Sequence, residues 1–108
     1  MIAYMYIEQL IYNIPPILQS KFLELDEAIW TAYLSKFEFY VSKEIWLDPT
    51  NLDYVSIVIH WRSLNEWKSI PSDDLNRLSQ QFDKLSLEQC GQTFVIKDSN
   101  TFKTNKTT

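Results

Sequence analysis

The chain has one glycine, one cysteine and one histidine in 108 residues, and no run of the eighteen or so apolar residues that a membrane-spanning helix requires. Each shortage removes a class of chemistry. A single glycine, Gly91, can hardly build a glycine-rich phosphate loop. A lone Cys90 closes no disulfide within the chain, and zinc spacings of Cys and His are absent, so a reducing interior is the easier home. Lys and Arg number 10 against 14 Asp and Glu, a formal charge of -4, so the basic surface that dominates nucleic-acid binding is missing. The apolar opening MIAYMYIEQLIYNI has a Glu at position 8, no Lys or Arg before Lys21 and no small-residue cleavage site, and reads as a strand instead of a leader. The expectation is a cytoplasmic protein without nucleic-acid or membrane partners.

What is present suits one small domain. Hydrophobic residues make up 45% of the chain, and a chain of this length hides roughly two-thirds of its surface on folding, enough for one core with little margin. Residues 1–98 read as that domain. Residues 99–108 are polar and threonine-rich without apolar periodicity, and read as a disordered tail.

The β-rich run Tyr4 to Tyr12 stops before Pro15-Pro16, a pair suited to the opening of a helix. Leu18, Phe22, Leu25, Ile29 and Ala32 then recur at helical spacing, leaving Lys21, Glu24, Asp26 and Glu27 to solvent. Phe37 to Leu47 and Tyr54 to Trp61 form a hairpin through the turn-favouring cluster Asp48-Pro49-Thr50-Asn51. Ser63-Leu64-Asn65-Glu66 has the capping-box form. Beyond Pro71, Ser72 caps a second helix whose stripe is Leu75, Leu78, Phe82 and Leu85. A short last strand follows Gly91, from Gln92 to Asp98. The order βαββαβ predicts the ferredoxin-like α+β plan, a four-stranded antiparallel sheet with two helices on one face.

Strand alternation separates the two faces of that sheet. Val55, Ile57, Ile59, Trp61, Phe39, Val41, Ile45, Met5, Ile7 and Ile11 fall under the helices. Tyr54, Ser56, Val58, His60, Tyr40, Ser42, Glu44, Trp46, Tyr4, Tyr6, Glu8, Leu10 and Tyr12 fall on the uncovered side. So many aromatic rings need a cover, and a second copy packed sheet to sheet supplies one. The expected pocket lies between the paired sheets, lined by Tyr6, Glu8, Tyr40, Glu44, Trp46 and Tyr54. His60, the side chain with the most useful proton affinity near neutrality, is its candidate catalytic group. The competing structural account makes His60 an interface residue, Trp30 and Trp67 packing anchors, and Cys90 an ordinary buried thiol.

Two stretches carry a likeness. Phe22-Leu23-Glu24-Leu25-Asp26-Glu27-Ala28-Ile29-Trp30-Thr31 and Lys43-Glu44-Ile45-Trp46-Leu47-Asp48-Pro49, with the Val55–Trp61 strand and Trp67-Lys68-Ser69-Ile70-Pro71, resemble a small, largely cyanobacterial family of uncharacterised proteins in the dimeric α+β barrel superfamily. More distantly the resemblance implies kinship with the antibiotic biosynthesis monooxygenase-like proteins, which pair two ferredoxin-like units into a barrel with a pocket in each. Haem-degrading relatives are similar at Asn65-Glu66-Trp67 but place a histidine later on the second helix, where Ser72 to Leu85 has none. Haem degradation is therefore not expected.

Two function classes remain. One is a homodimeric binding or interaction module holding a small apolar or aromatic molecule, with no cofactor and no metal. The other is a cofactor-independent monooxygenase-like or isomerase-like enzyme acting on a small aromatic substrate through His60, Tyr40 and Trp46.

Overall fold

The computed structural model describes residues 2–107. The elements run β1 (Ile2–Asn13), α1 (Pro16–Asp26), a π-helical turn (Glu27–Thr31), α2 (Ala32–Leu34), β2 (Tyr40–Leu47), β3 (Tyr54–Trp61), α3 (Leu64–Lys68), α4 (Ser72–Cys90) and β4 (Ile96–Thr107). All strand pairs are antiparallel and the order across the sheet is β2-β3-β1-β4. This is the ferredoxin-like α+β fold. No helix among the described residues is long and apolar enough to cross a membrane.

The β2–β3 hairpin forms where the turn residues place it. Asp48 Oδ1 accepts hydrogen bonds from the backbone N–H groups of Thr50 and Asn51 at 2.8 and 3.1 Å, which is the Asx geometry that closes the chain on itself. Gln19 Nε2 donates to the carbonyls of Ile14 and Leu52 at 3.0 and 2.6 Å and ties α1 to the same corner. Ser63 caps α3 by accepting from Glu66 N–H at 3.2 Å, while the Glu66 carboxylate turns to Arg62 at 3.1 Å. The expected Ser72 cap is corrected: Pro71 is the N-cap of α4, Ser72 is already inside the helix, and no side chain caps that end. Gly91, at φ 73°, ends α4 in the left-handed conformation that glycine adopts without strain.

The core is aromatic. Phe22 of α1 is fully buried, with ring centroids of Tyr12, Phe94 and Phe82 at 4.7, 5.2 and 5.9 Å, so one side chain joins α1, β1, α4 and the segment before β4. The helical stripe holds as far as Ile29. The π-helical turn then accommodates one extra residue, so Ala32 is exposed and Leu34 is buried, and Asp26, expected in solvent, is buried.

Register decides the faces. On β3, Val55, Ile57, Ile59 and Trp61 lie under the helices as expected. On β1 the expected parity is reversed: Tyr6, Glu8, Leu10 and Tyr12 pair with Trp61, Ile59, Ile57 and Val55 and share their face, while Ile7 and Ile11 pair with His60 and Ser56 on the uncovered side. Both alternate sets of β1 contain large apolar residues, so its periodicity does not choose between them, and a one-residue slip moves every side chain across. On β2 a bulge between Tyr40 and Ser42 reverses the alternation at its start. Tyr40 consequently packs edge-on against Trp61 at 5.7 Å on the helix side, and Val41 is exposed.

The expected disordered tail is also corrected. Residues 99–107 belong to β4, which pairs with β1 from Ile11↔Asp98 to Ile2↔Thr107. An edge strand is half-solvated on its faces and open along one side, so threonine, lysine and asparagine serve there and apolar periodicity is not required. Truncation after Asp98 is predicted to strip this ladder from β1. Thermal unfolding should show a loss of more than about 2 kcal/mol, a fall of roughly 10 °C for a domain of this size.

Candidate ligand cavity

The helices and sheet do not close completely on each other. Between them lies a cavity of about 220 Å³ with Leu10, Ile57 and Ile59 of the sheet on one side, Leu34, Ile70 and Leu75 on the other, and Trp30, Trp61 and Trp67 as aromatic walls. Trp61 and Trp67 are stacked, 5.5 Å apart and 6° from parallel. A second hollow of about 350 Å³ adjoins it, sharing Tyr12, Trp30 and Ile96 and bordered by Ser79, Asp83 and Thr93.

Two carboxyl groups line the main cavity. Glu8, on β1, accepts from Trp61 Nε1 at 3.3 Å. Burial pushes its pKa above the ordinary carboxylate value, against the lowering effects of the Trp61 bond and of Lys68. Asp26 ends α1 with a side chain only 7% exposed, and Lys43 Nζ of β2 reaches it at 2.9 Å. The same ammonium bonds Glu27 and Thr31, both at 2.7 Å, because the π-helical turn brings Asp26, Glu27 and Thr31 to one point. Burial raises the Asp26 pKa in spite of Lys43. For Lys43, burial opposes the charge, but the bonds to Glu27 and Asp26 outweigh it and the pKa is raised. Tyr12 is held protonated, first by burial and then by the negative charges of Asp26, Glu8 and Asp83.

The residues expected to line one pocket divide between two sides of the sheet. Glu8 borders the helix-side cavity, and Tyr6 and Tyr40 lie on that side too. His60, Glu44, Trp46 and Tyr54 lie on the uncovered side. There Glu44 accepts from His60 Nε2 at 2.8 Å and from Trp46 Nε1 at 3.1 Å, and these bonds, Trp46 first, hold its pKa below the ordinary carboxylate value. Trp46 and Tyr54 border a shallow depression of about 300 Å³ with Gln9, Ile11 and Ser56. Lys97 covers Tyr54, its Nζ 4.1 Å from the ring centre. His60 is thus oriented by a carboxylate, on the face opposite the cavity.

Sequence reasoning missed Asp26, Lys43, Tyr12 and the pocket role of Trp30 and Trp67. A signal was present: Asp26, Glu27, Trp30 and Thr31 lie in one of the two stretches that carried the resemblance, and Lys43 opens the other.

No family model matches the sequence, and no curated protein does. Solved structures do. An antibiotic biosynthesis monooxygenase assignment attaches to a Bordetella bronchiseptica protein that superposes with a TM-score of 0.57 at 12% identity, over 96% of this chain and 98% of that one. The ActVA-Orf6 monooxygenase of Streptomyces coelicolor, solved with nanaomycin D, gives 0.54 at 10% identity over 99% and 89%. A dimeric ferredoxin-like protein from an uncultured marine organism gives 0.53 at 10% identity over 100% and 90%. The fold is that of the antibiotic biosynthesis monooxygenase-like, ferredoxin-like proteins. At these identities the likeness concerns the fold alone.

Glu8→Gln is predicted to raise the melting temperature at neutral pH, since a carboxyl whose folded pKa is raised costs stability once it must ionise. The penalty is absent below the ordinary value of 4.5 and grows as pH rises through the folded pKa. Melting curves of the two proteins should therefore converge in acid and separate above it.

Proposed function

We propose that this chain is a small-molecule-binding α+β protein whose ligand sits between the helices and the sheet, and that two copies pair through the uncovered sheet face in a cytoplasmic setting. The cavity carries the first half of this proposal: a three-tryptophan wall with two carboxyls is the combination of apolar surface and few polar groups that ligand sites use. Its volume, below the ~300–1,000 Å³ of drug-sized sites, suits a molecule of one or two rings. The uncovered face supports the second half. It presents the partly exposed Ile7 and Ile11 with the half-exposed Trp46 and Phe102, around the Glu44–His60 pair.

A second reading, proton transfer on a small aromatic substrate without a cofactor, is supported by Glu8, whose raised pKa suits a carboxyl acting as acid and base in an apolar site. His60 takes no part in that version. Tyr40 and Trp46 take none either.

The four tryptophans provide the test. In a proton–nitrogen correlation spectrum titrated with a small aromatic probe such as 2-naphthol, the indole signals of Trp30, Trp61 and Trp67 are expected to move and that of Trp46 to stay. Movement of Trp46 alone would place the ligand on the sheet face and end this proposal. Separately, sedimentation should give a dimer at micromolar concentration, and Phe102→Glu combined with Trp46→Glu should yield a folded monomer.

A further inference from the structure

The geometry points to the charge of the ligand: we propose that the cavity holds a small organic cation, an amine or quaternary ammonium with an apolar body against Trp30 and its charge beside Glu8 and Asp26. This rests on the helix-side cavity being the ligand site, and it adds the chemical class that the aromatic walls alone leave open.

The first argument is the balance of charge around the space. Glu8 and Asp26 border the main cavity and Asp83 the adjoining hollow, whereas no Lys, Arg or His borders either. The cations nearest to these carboxyls do not border the cavity, although one of them pairs with Asp26. Lys43 divides its ammonium among Asp26, Glu27 and Thr31, and Lys68 Nζ sits 4.1 Å from the Trp67 ring centre. A phenolate or carboxylate ligand would meet carboxyl groups and no basic side chain at the wall.

The second argument is that the carboxyls are only half used. Trp61 occupies Oε1 of Glu8 and Lys43 occupies Oδ2 of Asp26; among the described residues, Oε2 of Glu8 and Oδ1 of Asp26 take no hydrogen bond. Neither is sealed away, since no fully buried side-chain oxygen among those residues lacks a partner. Each of these oxygens keeps some accessible surface, and both residues line the cavity. Asp26 is more than nine-tenths buried, so its remaining oxygen has little else to face.

The third argument is the wall. Trp30 pairs with no other aromatic ring among the described residues and borders both hollows. An indole face next to carboxylates in a partly dry space attracts ammonium groups, the more so for quaternary ones, which shed water easily.

The test uses two probes of one shape, choline and its uncharged carbon analogue 3,3-dimethylbutan-1-ol, titrated against the intact protein with the indole signals as readout. Choline is expected to shift Trp30 and to bind about tenfold or more tightly than the alcohol. Glu8→Gln, which keeps an acceptor for Trp61, should erase most of that preference. Equal or tighter binding of the alcohol overturns the charge assignment and leaves the cavity as the ligand site. Binding of neither probe at millimolar concentration, or movement of Trp46 alone, overturns both.

Discussion

The ammonium of Lys43 is the constraint on which the helix layer depends. It rises from β2 into the space beneath α1 and finds three oxygens within 2.7–2.9 Å, from Asp26, Glu27 and Thr31. In a regular α-helix, positions i, i+1 and i+5 do not converge on one point; the wider π-helical turn lets them do so. The charge and the irregularity thus explain each other. Removing one member of a pair this buried typically costs about 3–5 kcal/mol, because the other is left uncompensated. Trp30 belongs to the same turn and Leu34 follows it, so the segment that meets Lys43 also lines the cavity.

Legibility from the sequence followed the range of the interaction. Elements set by neighbours in the chain were readable: the β2–β3 turn by Asp48, the α3 cap by Ser63, the exact span of β3, and the α4 stripe of Leu78 and Phe82. Placement of β1 was not, because its partners are some fifty residues away along the chain and its two faces are nearly equal in apolar content. Met5, Ile7 and Ile11 look more like core than Tyr6, Glu8 and Tyr12. In the structure the second set lies under the helices, where Tyr12 is buried in the core, Tyr6 packs against it and Glu8 and Tyr12 border the cavity.

The last strand was hidden for a related reason. Polar composition separates chain that buries apolar surface from chain that does not, but an edge strand is held by its ladder to one neighbour and need bury little. Thr101, Lys103 and Asn105 satisfy that requirement with a composition also typical of disordered tails. The site was less legible than the fold, since each of its members comes from a different element. Glu8 and Trp61 are 53 residues apart in sequence, and Asp26 and Lys43 are 17 apart.

His60 and Trp61 show why the two candidate sites remain separate. They are consecutive on β3, and consecutive strand residues face opposite ways. Trp61 must face the helices because it is the largest of the fully buried side chains, stacked on Trp67 and bonded to Glu8. His60 is then committed to the other face, where Glu44 fixes it beside Trp46. No adjustment of rotamers brings the histidine into the cavity without turning the central strand over, which would expose Val55, Ile57, Ile59 and Trp61 together at about 1.5–3 kcal/mol for each large apolar group. Chemistry inside the cavity falls to carboxyls and indoles, and the histidine belongs to the surface through which a second copy is proposed to approach.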